Sequence, residues 1–419
     1  MMAQITLTFL ACLSLLVIAI WAGYCINARA EVLKAYTTGP ILNDQNLRVQ
    51  VIFKNNGKLD VPTTGMAFLG SKDILVLEKN KGTVQRLIND KLSSHPLLRV
   101  NVGTQVEWGM LAIAVSKIEQ KTFAFLYYTE SRDKDGNDIL GNRLYRYELK
   151  DNRLEDPVLL LDLPAESLTG PVNDHVAGKV VIGPDKNVYL STGDVGGRNG
   201  QSQNNRTGEP VDGTSGILRV TPDGKPIGNG ILGNSDTLRL YYAYGIRNSF
   251  GFDFDPVTRN IWDTENGFND KDEINLVKPG FNSGWKKMMG IAPKGFESLN
   301  FVDFNGNGNY SDPEFVWNHT VGPTDLKFLN STKLGSNYKN TIFVGDFNNG
   351  YLYNFKLDAK RSALLLEDDL TDRIANTLNE AKNNILGKGF GVITDLEVGP
   401  DGYLYILGYD GSIYRIVRD

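Results

Sequence analysis

Cysteine and histidine are nearly absent from this chain of 419 residues. Its two cysteines, Cys12 and Cys25, lie in or beside the first apolar run. The remainder therefore has no disulfide framework, no thiolate nucleophile and no cysteine-ligated zinc. The three histidines, His95, His175 and His319, are too few and too scattered for a multi-histidine zinc site. Positive charge is not in excess: 44 Lys and Arg face 49 Asp and Glu, and no long basic tract occurs. That balance speaks against a nucleic-acid partner. Long hydrophobic runs are confined to one place. Ile5 to Tyr24 is apolar and uncharged, about the length that spans a bilayer. Ala28-Arg29-Ala30 after it has the small-x-small form of a cleavage site. Residues 1–30 are expected to be a signal peptide or an uncleaved membrane-anchor helix, 31–46 a polar linker, and 47–419 the exported body. The expected location is extracytoplasmic, secreted or anchored to the outer face of the membrane. N-x-[ST] sequons at Asn205, Asn309, Asn318 and Asn330 fit such a surface.

What is abundant is glycine, with 44 residues, and aromatics at 10%, while helix-favouring charged runs are few. Short alternating apolar segments recur between Gly, Asp and Asn turns. They begin near Gly65, Gly109, Val180, Arg247, Leu326 and Asp395. Repeats of this size, each unable to bury its faces alone, predict an all-β, six-bladed β-propeller. Val49 to Phe53 is placed to complete the last blade beside Ile413 to Val417. Two stretches break the pattern. Asp369 to Leu386, with Leu370, Ile374, Leu378 and Ile385 and a stop at Gly387, predicts an amphipathic helix. The insert from Pro279 to Pro323 is expected to build the channel mouth.

Asp174-His175 stands just before the apolar run Val180-Val181-Ile182. A histidine at a strand mouth beside a carboxylate suits a general base near neutral pH. The same pattern also suits a structural histidine whose ring bonds a loop carbonyl. Asp303, Asn305, Asn307, Gly308 and Glu314 match the calcium-loop pattern D-x-[DN]-x-[DN]-G-x5-E, with Asn309 beside them. Glu265 to Glu273 is a second oxygen-rich turn, readable as a hard-cation site or a solvated loop.

Taken in order, Asp174-His175, Gly183-Pro184-Asp185, Gly193-Asp194, Tyr244-Gly245-Ile246-Arg247-Asn248, Glu265-Asn266-Gly267, Asp272-Glu273-Ile274-Asn275 and Gly399-Pro400-Asp401-Gly402 resemble the soluble quinoprotein glucose/sorbosone dehydrogenase family. The similarity runs from about residue 48 to 418. It implies a propeller that binds pyrroloquinoline quinone (PQQ) and calcium at the channel mouth. The implied reaction oxidises the C1 hydroxyl of an aldose to a lactone and passes electrons to an external acceptor. His175 would be the base, Asp174 would orient it, Arg247 would stabilise charge on the quinone, and Asn248 would contact the cofactor. Gly267, Phe268 and Asp272 would belong to the calcium turn. Trp108, Asn199 or Gln201, Trp317 and Thr320 would stand at further cofactor positions. The chain departs from the family pattern where cations are expected, with Asn348, Val392 and Thr394 in their place. Two other readings remain open: a non-catalytic propeller that binds a saccharide or protein, and a calcium-dependent lactonase.

Overall fold

The computed structural model describes residues 39–167, 174–206 and 210–419. The expected signal or anchor segment lies outside them. No helix among the described residues is long and apolar enough to cross a membrane.

The chain folds as an all-β propeller. Six sheets follow one another along the sequence. The first sheet comprises Thr63–Gly70, Asp73–Glu78, Thr83–Ile88 and Lys91–Leu92. The second comprises Met110–Ile118, Lys121–Ser131, Ile139–Lys150 and Arg153–Leu163. The third starts with Val180–Ile182, Val188–Thr192, Gly216–Val220 and Tyr241–Tyr244. The fourth starts with Gly251–Phe254, Ile261–Glu265 and Asp272–Val277. The fifth is built on Pro323–Phe328, Ile342–Asp346 and Tyr351–Phe355, and the sixth on Ile393–Val398, Leu404–Gly408 and Ile413–Arg418.

The first strand of each sheet lies innermost. Those of the first and second sheets touch, as do the second and third, fourth and fifth, fifth and sixth, and sixth and first. The third meets the fourth through a shared apolar core containing Val181, Tyr189, Phe252 and Ile261. Middle strands such as Leu404–Gly408 are buried along their whole length because they are covered on both faces by neighbouring sheets. The ring is latched by Leu47–Phe53, which pairs antiparallel with Ile413–Arg418 in the sixth sheet. That is the closure expected from sequence.

The expected helix at 369–386 does not form. Asp368–Leu370 and Glu380–Asn384 are 3-10 turns, Ile374–Ala375 pairs with Phe315–Trp317, and Ile385–Lys388 pairs with Tyr351–Phe355. Leu370, Ala375 and Ala381 are drawn into the core between the fourth and fifth sheets. Positive φ at Asp368 and Arg373 breaks any helical path between them. Sheet edges offered hydrogen bonds that a surface helix did not need to supply. The 279–323 insert is similarly split. Phe281–Asn282 and Asn309–Tyr310 extend the third sheet in parallel, and Phe315–Trp317 extends the fourth.

Candidate active site

His175 lies in the crossing from the second sheet to the innermost strand of the third. Its φ is 56°, and Ala177 follows at 52°. Left-handed backbone at non-glycine residues is uncommon and is held only where surroundings over-determine it. Here the His175 carbonyl accepts the Val195 N–H at 3.1 Å. Gly193 passes so close that a Cβ there would run into that carbonyl. A glycine is thus required at the turn that faces the histidine.

The ring is held at both nitrogens. Nδ1 is 2.7 Å from Asp194 Oδ1, and Nε2 is 2.7 Å from Arg247 Nη2. A guanidinium only donates, so Nε2 accepts, and the ring proton sits on Nδ1 and is donated to Asp194. The second oxygen of Asp194 accepts the Trp285 indole N–H at 2.8 Å. Burial works to lower the His175 pKa, but the Asp194 hydrogen bond and charge outweigh it, and the net shift is upward. Asp174, the expected orienting residue, is 3.7 Å from Nε2 and makes no hydrogen bond to the ring. The partner of the imidazole is Asp194.

Arg247 is fixed from several sides. Its Nη1 donates to the carbonyls of Asn266 and Gly267 at 2.9 and 2.8 Å, and its backbone N–H donates to Glu265 Oε1 at 2.6 Å. The guanidinium lies 5.6 Å from the Phe268 ring and 5.5 Å from that of Trp285. Its Nε is buried without a partner, as is Asn248 Oδ1. The Asn248 amide donates to Glu107, which also accepts the Val176 N–H at 3.0 Å. Burial raises the Glu107 pKa. These buried polar atoms beside a base and a cation are left without hydrogen-bond partners, which is uncommon in a folded interior.

A cavity of about 650 Å³ opens beside this group. Glu107, Ala177 and Asn266 line it from the histidine side, and Lys79, Thr320, Phe347, Asn348, Thr394 and Tyr409 complete its wall. Its volume suits a small organic ligand.

Several expected site residues lie elsewhere. Trp108 is buried in the core of the second and third sheets, and its indole donates to the Ala165 carbonyl at 3.1 Å. Trp317 is packed between Phe315, Tyr353 and Phe355. Both indoles serve the core: Trp317 ends the strand Phe315–Trp317, and Trp108 follows the turn that leads into Met110–Ile118. Asn199 accepts a hydrogen bond from Lys286 at 2.9 Å, and Gln201 opens the short turn Gln201–Gln203. Thr320 lines the cavity, with its hydroxyl donating to Asp272 at 2.8 Å.

The two oxygen-rich loops do not present free ligand sets. One oxygen of Asp272 accepts from Gly267, and the other from Thr320, Val321 and Gly322. The Gly267 carbonyl is already engaged by Arg247, and the Phe268 side chain projects into solvent. In the second loop, Asp303 caps Asn305, and the Asn307 amide donates to the Phe304 carbonyl. Asn309 is taken into the third sheet, whereas the Glu314 N–H bonds Ile274 of the fourth. Sheet pairing pulls the end of that loop away from its start. Among the described residues no three His, Cys, Asp or Glu side chains form a metal centre.

Sequence reasoning passed over Asp194 as the imidazole partner, Glu107, Trp285 and Lys79. It read Glu265 to Glu273 as a turn, whereas the structure buries Glu265 and Glu273 in the fourth sheet together with Asp263. Glu265 accepts from Arg247 and Ser283, while Asp263 is buried beside Asn275 and Ser249. The signal for Asp194 was present in Gly193-Asp194, but a neighbour in sequence drew attention first.

The comparisons agree with this architecture. The aldose sugar dehydrogenase YliI of Escherichia coli (strain K12) is 25% identical over 366 residues, covering 85% of this chain and 89% of that protein. Quinoprotein glucose dehydrogenase B of Acinetobacter calcoaceticus is 26% identical over 298 residues, covering 55% and 59%. The PQQ-bound aldose sugar dehydrogenase of Streptomyces coelicolor superposes with a TM-score of 0.65 at 21% identity, covering 90% of this chain and 99% of that one. The family model described as Glucose / Sorbosone dehydrogenase matches residues 59–415, and the chain belongs to that family.

Proposed function

We propose that this chain is an exported sugar dehydrogenase on a six-bladed propeller, oxidising the C1 hydroxyl of an aldose to a lactone with PQQ as cofactor. The observation that carries this reading is the His175 imidazole, set between Asp194 and Arg247 two residues before Ala177, which lines the cavity. The chemistry a bound PQQ would supply is that of a two-electron acceptor for the hydride leaving the sugar carbon. Arg247, Asn248 and the cavity wall at Glu107, Asn266, Thr320 and Asn348 would hold the cofactor.

His175 Nε2 takes the C1 hydroxyl proton. The substrate hydroxyl replaces Arg247 as the partner of that nitrogen, and Asp194 stabilises the imidazolium that results. Arg247 gives up its Nη2 bond to the ring while Nη1 stays on the Asn266 and Gly267 carbonyls, and so keeps positive charge beside the base. An external acceptor would remove the electrons afterwards.

The test is calorimetric titration of the full chain with PQQ, with and without calcium, followed by dye-linked oxidation of a panel of aldoses. Saturable binding and turnover that disappears in His175→Ala support the assignment. Absence of binding at millimolar PQQ removes it. A second reading, a propeller that binds saccharide without turning it over, is favoured by one observation: Asn348 and Thr394 line the cavity as neutral groups. Saccharide binding without turnover would select it.

A further inference from the structure

Two lysines line the cavity, and they differ in one respect. Lys179 Nζ is matched by Asp325 at 2.9 Å, Asp395 at 2.5 Å and Glu397 at 3.2 Å. Lys79 forms no ion pair among the described residues. Its Nζ donates to the Trp108 carbonyl at 2.7 Å, the Val106 carbonyl at 2.9 Å and the exposed Asn80 Oδ1 at 3.3 Å. All the hydrogen-bond acceptors of Lys79 are neutral, and the one carboxylate that acts on it, Glu107, makes no ion pair with it, so the cation is incompletely compensated. The longest of these bonds, to Asn80, is the one a ligand would exchange.

The wall around Lys79 narrows the ligand class. Phe347 and Tyr409 pack edge to face with ring centroids 6.2 Å apart, and both are partly exposed in the same cavity. They offer an apolar flank to a ring-bearing molecule. The carboxylates that line the cavity do not fill the need. Asp395 is consumed by Lys179, and Glu107 has its pKa raised by burial while it accepts from Val176 and Asn248. Asn348 and Thr394, where cations were expected, line the same cavity and are neutral.

We infer that Lys79 is the seat for a carboxylate on a ring-bearing ligand, a cation supplied from the first sheet where the fifth and sixth supply none. The carboxylate comes either from the quinone cofactor or from an acidic sugar substrate such as a uronic acid. The inference rests on the sugar dehydrogenase reading. Burial brings the Lys79 pKa down to about 8, with the Glu107 charge opposing that shift, so a bound carboxylate would push it back up.

The experiment uses the full chain and three probes: PQQ, glucuronate and glucose. Acylation of Lys79 by acetic anhydride is followed against pH by mass spectrometry, and affinities are measured for the wild type, Lys79→Met and Lys79→Arg. A carboxylate ligand should protect Lys79 and move its reactivity to higher pH, while glucose should not. Loss of one charge-assisted hydrogen bond should weaken binding about tenfold or more in Lys79→Met, with Lys79→Arg retaining most of it. The reactivity measurement needs no variant, so a misfolded Lys79→Met leaves the test standing. PQQ binding with Lys79 unprotected overturns the seat and keeps the quinone reading. Glucuronate protecting Lys79 without PQQ binding keeps the seat and removes the quinone reading. Binding of neither removes both.

Discussion

Asp174 and Asp194 flank the same imidazole and stand in different relations to it. Asp194 is almost wholly buried, accepts from the ring and is anchored by Trp285, whereas Asp174 is about one-third exposed and lies beyond hydrogen-bond distance. Asp194→Ala should therefore cut turnover by about 10²-fold or more, because it frees the tautomer and removes the counter-charge. Asp174→Ala should cost only a few-fold, and steady-state kinetics on both variants decides between them. The pH profile gives an independent readout. A base must be neutral, and the His175 pKa is raised, so the rate should climb with pH and reach half its plateau above 6.5. In Asp194→Asn the burial and the Arg247 charge that lower the pKa are left less opposed, and the acid limb should move to lower pH. An unmoved limb would show that His175 is not the titrating group. The sequence made His175 and Arg247 legible because both sit in short motifs. It favoured the wrong aspartate because adjacency in sequence carries no information once φ at His175 turns positive.

At the scale of elements, each of the six strand groups read from the sequence became a sheet, since alternation and glycine turns are local signals. The segment from 369 to 386 was misread for a physical reason. Spacings of Leu370, Ile374 and Leu378 suit a helix face, yet the chain lies along two sheet edges whose unpaired groups it satisfies. The middle strands of the fourth sheet carry the other feature no pattern announced. Asp263 and Glu265 on one strand face Asn275 and Glu273 on the next, all buried. Burial raises the pKa of Asp263 and Glu273, and it pushes Glu265 up to about 7. Folded chains then hold a proton on Glu265 up to about pH 7, which the unfolded chain releases near its ordinary value. Between these values the folded state binds more protons, so stability should fall as pH rises from about 4.5 through 7. In Glu265→Gln that slope should shrink by up to about 1.4 kcal/mol per pH unit. Urea midpoints across this window measure it, and parallel curves for the two proteins would show that Glu265 stays ionised.

At the scale of the whole molecule, the ring is joined by charge along the channel and by strand pairing at the seam. Lys179 of the third sheet reaches Asp325 of the fifth and Asp395 and Glu397 of the sixth, and Lys327 shares Glu397. Lys179→Met would leave buried carboxylates uncompensated at a cost of about 3–5 kcal/mol, visible as a lowered urea midpoint. The seam makes a larger demand. Leu47–Phe53 pairs along nearly all of Ile413–Arg418, so the two ends of the propeller close one sheet together. Leu47 and Phe53 are both buried, each in a different core cluster on either side of that sheet. A chain of residues 39–419 keeps every described contact and is the reference for the comparison. Removing residues 1–53 exposes the Ile413–Arg418 edge and empties two cores. The expected result is a melting temperature lower by about 10 °C or more, with association through the open edge on size-exclusion chromatography. A peptide spanning residues 44–54, added in trans, should restore both, because the register is set by Leu47 and Phe53 entering their clusters. If the shorter chain melts where the longer one does, the propeller is held by its channel charges and sheet-to-sheet cores, and the seam is not what closes it.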